Sequence, residues 1–127
     1  AIELIWHAFE DMNGGEVYIK KIPSMNIIDI AKAVSESAKH RIIGIRPGEK
    51  IHEQMIGIED ALFTYEYDHH YKILPAIYEA FKNIEWIGDG KKVPIDFCYT
   101  SDNNMDWMSI STLQSWLHEH KATIGKF

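Results

Sequence analysis

The sequence predicts a small α/β domain, and three observations carry that reading. Glu16–Lys20 alternates around Val17 and Ile19, a helical repeat runs from Ile27, and His40–Ile45 is a second β-rich stretch. Strand, helix and strand over about 30 residues make a βαβ unit, so the two strands should be parallel with a right-handed crossover. The chain has 127 residues, 46% of them hydrophobic and 25% charged. That is enough for a single domain over 1–127 to bury its own core without a disulfide or a metal.

The elements follow in order. Ile2, Ile5, Trp6 and Phe9 recur at helical spacing, so residues 1–12 read as an amphipathic helix stopped by Asn13-Gly14-Gly15. It starts at Ala1 without a cap, as expected of a chain cut from something longer. Pro23 ends the first strand. Asn26 caps a second helix, with Asp29 at its third position, running to about Ser37 with Ile27, Ile30, Ala31 and Val34 inward. Arg46-Pro47-Gly48 ends the second strand, and a short helix is expected from Glu49 to Ile56. Periodicity is weak from Gly57 to Asn104. Tyr71–Leu74 is a short candidate strand, Gly88-Asp89-Gly90 a turn, and Tyr99–Asp106 loop-like. Ser109 or Ser111 caps a last helix to about His120, with Leu113, Trp116 and Leu117 inward.

Composition excludes several classes. With 13 basic and 19 acidic residues the net charge is −6, and a general affinity for nucleic acid needs the opposite sign. No apolar run approaches the ~20 residues of a membrane helix, and no signal-peptide pattern is present. A single cysteine, Cys98, rules out a disulfide scaffold and fits a reducing cytoplasm. It has no basic neighbour in sequence to activate it.

The sharpest local signal is Gly44-Ile45-Arg46-Pro47-Gly48-Glu49-Lys50. A strand would deliver Arg46 to its carboxyl end, where ligands of α/β folds collect. The guanidinium fork suits a diphosphate, Glu49 can accept from a ribose diol, and a helix starting behind Gly48 would offer free N–H donors. The plain alternative is a strand–turn–helix with a surface ion pair. Lys20 and Lys21 end the neighbouring strand, so one of them could join Arg46 in a cationic rim; alternation sends the two to opposite faces.

Other patterns carry less. The seven histidines lack metal-ligand spacing: His69 and His70 diverge, His118 and His120 do not share a helical face, and His52-Glu53 is not an HExxH helix. No metal site is expected. Tyr78-Glu79-Ala80-Phe81-Lys82 matches Tyr-x-x-x-Lys, a proton-transfer pair, but no Gly-rich dinucleotide turn precedes it. Tyr65, Tyr67, Tyr71 and Asp68 form an aromatic-acidic cluster that reads as core packing before it reads as a stacking platform.

Taken in order, Gly14–Ile19, Lys21-Ile22-Pro23-Ser24-Met25, Ile42–Lys50, His52-Glu53, Tyr65-Glu66-Tyr67 and Tyr99–Asn104 resemble the C-terminal part of the inverting UDP-N-acetylglucosamine 4,6-dehydratases of bacterial surface-sugar biosynthesis. The likeness extends from the first helix to the last. It is nearest to the branch that begins pseudaminic acid synthesis, with capsule enzymes more distant. Asp102 and Thr112 depart from the family pattern in loop and cap positions.

The resemblance implies an extended short-chain dehydrogenase in which a Rossmann domain holds NADP and a smaller C-terminal region closes over the nucleotide sugar. The reaction it implies oxidises C4, eliminates water across C5–C6 and returns hydride to C6 with inversion at C5. It assigns the diphosphate and ribose of UDP to Arg46 and Glu49, with Lys21 and Ser24 as weaker substrate-binding candidates. Asn103 and Asn104 match a family stretch without an assigned role. The glycine fingerprint, the Tyr-x-x-x-Lys helix and the catalytic acid and lysine of the family have no counterpart here, and Tyr78 and Lys82 fall in the wrong region. No catalytic or cofactor-binding residue is therefore expected in this chain, which should be inactive alone. Its first helix would join the missing Rossmann domain. Ile5 and Trp6 would then be exposed in its absence, so self-association is expected. The alternatives are a standalone nucleotide-sugar-binding or assembly module, or part of a related epimerase.

Overall fold

Residues 2–77 and 84–124 are described by a computed structural model of the chain. Val17, Tyr18 and Ile19 are β-branched or aromatic, and they build β1 (Val17–Lys20) with Ile19 turned into the core. The partner of β1 is β4 (His70–Ile73), antiparallel, with Ile19 opposite Tyr71 and Tyr18 opposite Lys72. β3 (Thr64–Glu66) pairs with β4 on its other side and with β5 (Lys91–Lys92), so the sheet order is β1-β4-β3-β5. β2 (Gln54–Ile56) and β6 (Tyr99–Thr100) form a separate antiparallel pair, with an irregular register between Gln54 and Ile56.

The chain forms two compact units. One comprises Ala1–Ile22 and Gln54–Thr100, the other Pro23–Glu53 and Ser101–Phe127. All six strands of the described residues lie in the first. Its core is Ile19, Ile56, Ala61, Tyr71, Val93 and Tyr99, with Ile73 and Phe97 packed against it. The Tyr71 ring centroid lies 5.2 Å from Phe97 and 5.3 Å from Tyr99, the separations aromatic pairs favour. The buried Tyr99 hydroxyl accepts from Ile22 N–H and donates to Ile22 C=O, at 3.0 and 2.9 Å. Tyr99→Phe removes both bonds from a buried site. We expect a loss of about 1–2 kcal/mol in chemical denaturation, with no change in far-ultraviolet circular dichroism.

Alternation sends Tyr18, His70 and Lys72 to the face opposite that core, and α1 (Ile2–Asp11) covers this polar face through Asp11 and His7. α1 buries none of its residues: Ile2, Ile5, Trp6 and Phe9 are 53–72% exposed.

The second unit is helical. Asn26 caps α2 (Ile27–Val34), its side chain accepting from Ile28 N–H at 2.9 Å. Ser109 caps α3 (Ile110–Glu119) by accepting from Thr112 N–H, and α4 (Lys121–Ile124) follows. α2 packs against α3, and a lone parallel bridge joins Ser24 to Trp107. The buried face of α2 differs from the sequence reading. Ala33 is buried, whereas Ile27 is 75% and Val34 49% exposed, and the helix stops at Val34. Trp116 is also exposed, stacked on His120 with ring centroids 4.5 Å apart.

Two sequence expectations fail, and with them the βαβ unit. His40–Ile45 forms no strand, and β1 pairs antiparallel. The stretch has strand-like composition, but among the described residues of its own unit it meets no neighbouring strand, and an unpaired strand leaves its backbone bonds to water. Glu49–Ile56 forms no helix either. Its last three residues pair with β6, and Ile56 is fully buried there, so long-range pairing overrides local signals. The architecture is a mixed α/β fold with antiparallel sheets.

Candidate functional site

Arg46-Pro47-Gly48-Glu49 closes a four-residue turn through Glu49 N–H donating to Arg46 C=O at 3.0 Å. Proline at the second position and Gly48 at φ +86° are what a type II turn requires. The turn folds Glu49 back on Arg46. One carboxylate oxygen accepts from Arg46 N–H at 2.9 Å, and the other lies 3.1 Å from Arg46 Nε. The Arg46 side chain is still 73% exposed, so its guanidinium remains open to a ligand. An anion arriving there meets an arginine held by both its backbone and its Nε edge.

Beside the turn lies an open cavity of about 450 Å³ lined by Ile45, Gly48, Glu49, Lys50, Ile51 and Glu53. Glu53 N–H donates to Ser101 Oγ at 3.0 Å and Ser101 N–H donates to Glu53 C=O at 2.8 Å, a reciprocal clip that fixes one edge. The helix expected behind Gly48 is absent, so no helix dipole contributes here. The cations at this turn are Arg46 and Lys50, opposed by Glu49 and Glu53. No side chain would crowd a Cβ on Gly48, so Gly48→Ala acts through backbone strain alone. At about 1–2 kcal/mol for a left-handed alanine, exchange of the Glu49 amide should speed up about tenfold by NMR.

The other two predicted contacts are less open. Ser24 is buried; its hydroxyl accepts from Asn104 Nδ2 at 3.1 Å, and its N–H and C=O bond Asp106 and Met108. Asn104 also accepts from Asp106 N–H at its side chain and from Trp107 Nε1 at its carbonyl. Asn104, quoted in sequence without a role, is thus the staple of the Ser24–Trp107 bridge. Lys21 belongs to the other unit. Its ammonium lies 2.7 Å from Glu66 and 4.9 Å from the Tyr71 ring centroid. Without a parallel pair of strands, the expectation of a shared rim for Lys20, Lys21 and Arg46 loses its basis.

A second polar group was not legible in sequence. Lys72 is 2% exposed; its ammonium donates to Asp11 Oδ2 and to Trp86 C=O, both at 2.7 Å, and lies over the rings of Tyr67 and Tyr18. Tyr18 donates to the same carboxylate oxygen. Burial would push Asp11 up, but the bonds from Lys72 and Tyr18 outweigh it and hold the carboxyl below its ordinary range. Burial would likewise lower Lys72, yet Asp11 and Tyr67 keep it above. Burial, then the Asp11 bond, pushes the Tyr18 phenol upward. All three groups stay in the states that sustain the network at neutral pH.

Of the aromatic-acidic cluster, Tyr71 joins the core, Tyr67 stacks on His70 at 4.6 Å, and Asp68 is exposed. His69 is exposed while His70 is buried. Among the described residues no three His, Cys, Asp or Glu side chains converge as metal ligands. No helix of these residues is long and apolar enough to cross a membrane. Tyr78 and Lys82 lie outside the described residues.

Residues 1–75 match the family described as polysaccharide biosynthesis protein, and the chain belongs to that family. Among its relatives is the UDP-N-acetylglucosamine 4,6-dehydratase (inverting) of Campylobacter jejuni strain 81-176, 44% identical over 85% of this chain and 34% of the relative. The UDP-glucose 4-epimerase of Rickettsia akari is 32% identical over 81% of the chain and 31% of the relative. The chain therefore spans about a third of the length of the curated relatives it matches. The X-ray structure of Pen from Bacillus thuringiensis shares the fold, with a TM-score of 0.70 over 94% of this chain and 35% of that one, at 23% identity.

Proposed function

We propose that this chain is the UDP-sugar-binding part of an inverting UDP-N-acetylglucosamine 4,6-dehydratase of surface-polysaccharide synthesis. The observation that carries the proposal is the Arg46–Glu49 turn, which presents an anchored, exposed guanidinium and borders an open cavity through Gly48 and Glu49. Arg46 holds the diphosphate, and Glu49, whose carboxylate has lone pairs beyond the two bonds it accepts, takes a ribose hydroxyl. Two relatives of different chemistry, a dehydratase and an epimerase, both carry UDP in the name of their substrate. A part shared by both fits the common nucleotide better than either reaction.

Ser24 supports the site through the segment it fixes, and Lys21 stays a weaker substrate-binding candidate within its own unit, where it would exchange Glu66 for a ligand oxygen. The residues present do not fit NADP. Gly14 and Gly15 precede a strand and do not join a strand to a helix, so the dinucleotide fingerprint is missing among the described residues. NADP and the reacting groups belong to the remaining two-thirds of the full-length enzyme, which works in the cytoplasm. The exposed Ile5 and Trp6 face of α1 meets that part, and in the isolated chain it drives self-association.

Calorimetric titration with UDP tests the reading. The wild-type chain should bind UDP with no turnover of UDP-N-acetylglucosamine, and Arg46→Ala should bind far more weakly. A wild-type chain that ignores UDP at millimolar concentration would refute it.

A further inference from the structure

The buried polar face beneath α1 holds one group the binding site does not use. His70 is 8% exposed, and its Nε2 is sealed from solvent with no hydrogen-bond partner. The rings around it come from three places: His7 of α1 at 4.9 Å, Tyr18 of β1 at 5.8 Å, and Tyr67 stacked at 4.6 Å from the turn before β4. Lys72 is its neighbour on the same face of β4, and Lys20 is its register partner on β1. A neutral imidazole tolerates one orphaned nitrogen. An imidazolium carries protons on both nitrogens, so Nε2 would have to donate, and nothing there accepts.

We propose that α1 is an acid-responsive cover: protonating His70 requires α1 to lift, so mild acid detaches α1 from a sheet that stays folded. Three observations single out α1 as the element that yields. It buries no residue of its own, it reaches this face through His7 and Asp11, and the sheet beneath it is held by its own ladder and by the core on the far side. Charge adds to the effect. Burial lowers His70 below the ordinary histidine range, and His7 and Lys72 lower it further; Asp11 pulls the other way more weakly than these, and Lys21 adds a still smaller lowering. His7 and Asp11 both belong to α1, so attraction between them does not tie the helix to the sheet; the group sealed beneath it, and so the trigger, is His70.

The sign follows from linkage. Above the unfolded-state pKa of about 6.5, His70 is neutral with α1 on or off, and the cover is at full strength. As pH falls below that value, the uncovered state takes up a proton that the covered state refuses, and the cover loosens until pH passes the depressed value. Acid therefore weakens the attachment, and base does not.

Amide-exchange protection factors by NMR on the whole 127-residue chain read this directly, because they remove the intrinsic pH dependence of exchange. Between pH 7.5 and 5.5, protection in Ile2–Asp11 should fall about tenfold, the equivalent of one pKa unit, while β1 and β4 stay within about twofold. The fall should vanish in His70→Phe and persist in His7→Phe. Unchanged α1 protection in the wild type, loss of β1 and β4 protection together with α1, or a fall that survives His70→Phe each overturns the proposal. If His70→Phe does not fold, the ring ¹⁵N shifts of His70 in the wild type decide. Titration sharing the midpoint of α1 release supports the cover, and titration with α1 still protected overturns it.

Discussion

Asp11→Ala is expected to destabilise the first unit by about 3 kcal/mol, because it strands a buried cation. Lys72 sits at 2% exposure, and Asp11 is the anion that compensates it. Once the carboxylate is gone, the Trp86 carbonyl and the Tyr67 and Tyr18 rings solvate the ammonium only in part, and the Tyr18 hydroxyl loses its acceptor as well. Lys72→Met should behave quite differently. It removes the buried charge and keeps most of the volume, while Asp11, whose side chain is 37% exposed, turns to water. The expected loss there is about 1 kcal/mol or less. Urea titrations followed by circular dichroism separate the two. At a slope of about 2 kcal/mol per molar, the Asp11→Ala midpoint falls by about 1.5 M and that of Lys72→Met by about 0.5 M or less. Equal losses would mean that the pair is held by packing and not by charge.

Arg46→Ala should weaken UDP binding about 30- to 150-fold, the worth of roughly 2–3 kcal/mol for charge-assisted bonds to a diphosphate. The loss should be specific to the phosphates: uridine, which lacks them, should bind the variant and the wild type alike. Arg46→Lys keeps the charge but not the fork or the Nε contact with Glu49, so it should recover only part of the affinity. Glu49→Gln keeps an acceptor for Arg46 N–H and should cost several-fold at most, about 1 kcal/mol. A variant Arg46→Ala that binds UDP as the wild type does would remove Arg46 from the diphosphate and leave Lys50, the cation lining the cavity, in its place.

Elements that announce their own ends were legible in the sequence. Asn13-Gly14-Gly15 stops α1, Asn26 and Ser109 cap α2 and α3, and the alternation of Val17–Lys20 makes β1. The short strands β2, β3, β5 and β6 were not legible. Each has two or three residues; β2, β5 and β6 exist only because a distant segment pairs with them, and β3 is held between the adjacent β4 and the distant β5. Ile42, Ile43 and Ile45 misled for the converse reason: residues suited to a strand do not make one without a partner. The Arg46–Glu49 turn was readable because its four residues are contiguous and proline and glycine dictate its shape. The Asp11–Lys72 pair, 61 residues apart in sequence, was beyond any local pattern.

The interleaving of the two units sets a constraint on how the chain is made. β1 ends at Lys20, and the residue it pairs with is His70, so the two are 70 − 20 = 50 residues apart. During synthesis at about 5–20 residues per second, the first strand waits roughly 3–10 s for its partner to be translated. Ile19 has no core to enter during that interval. Pro23–Glu53 emerges meanwhile and belongs to a unit whose other half, Ser101–Phe127, is made only after Thr100. Each unit therefore remains half-made until its second segment has emerged. Slower elongation lengthens the time in which these unpaired segments are open to chaperones or to neighbouring nascent chains.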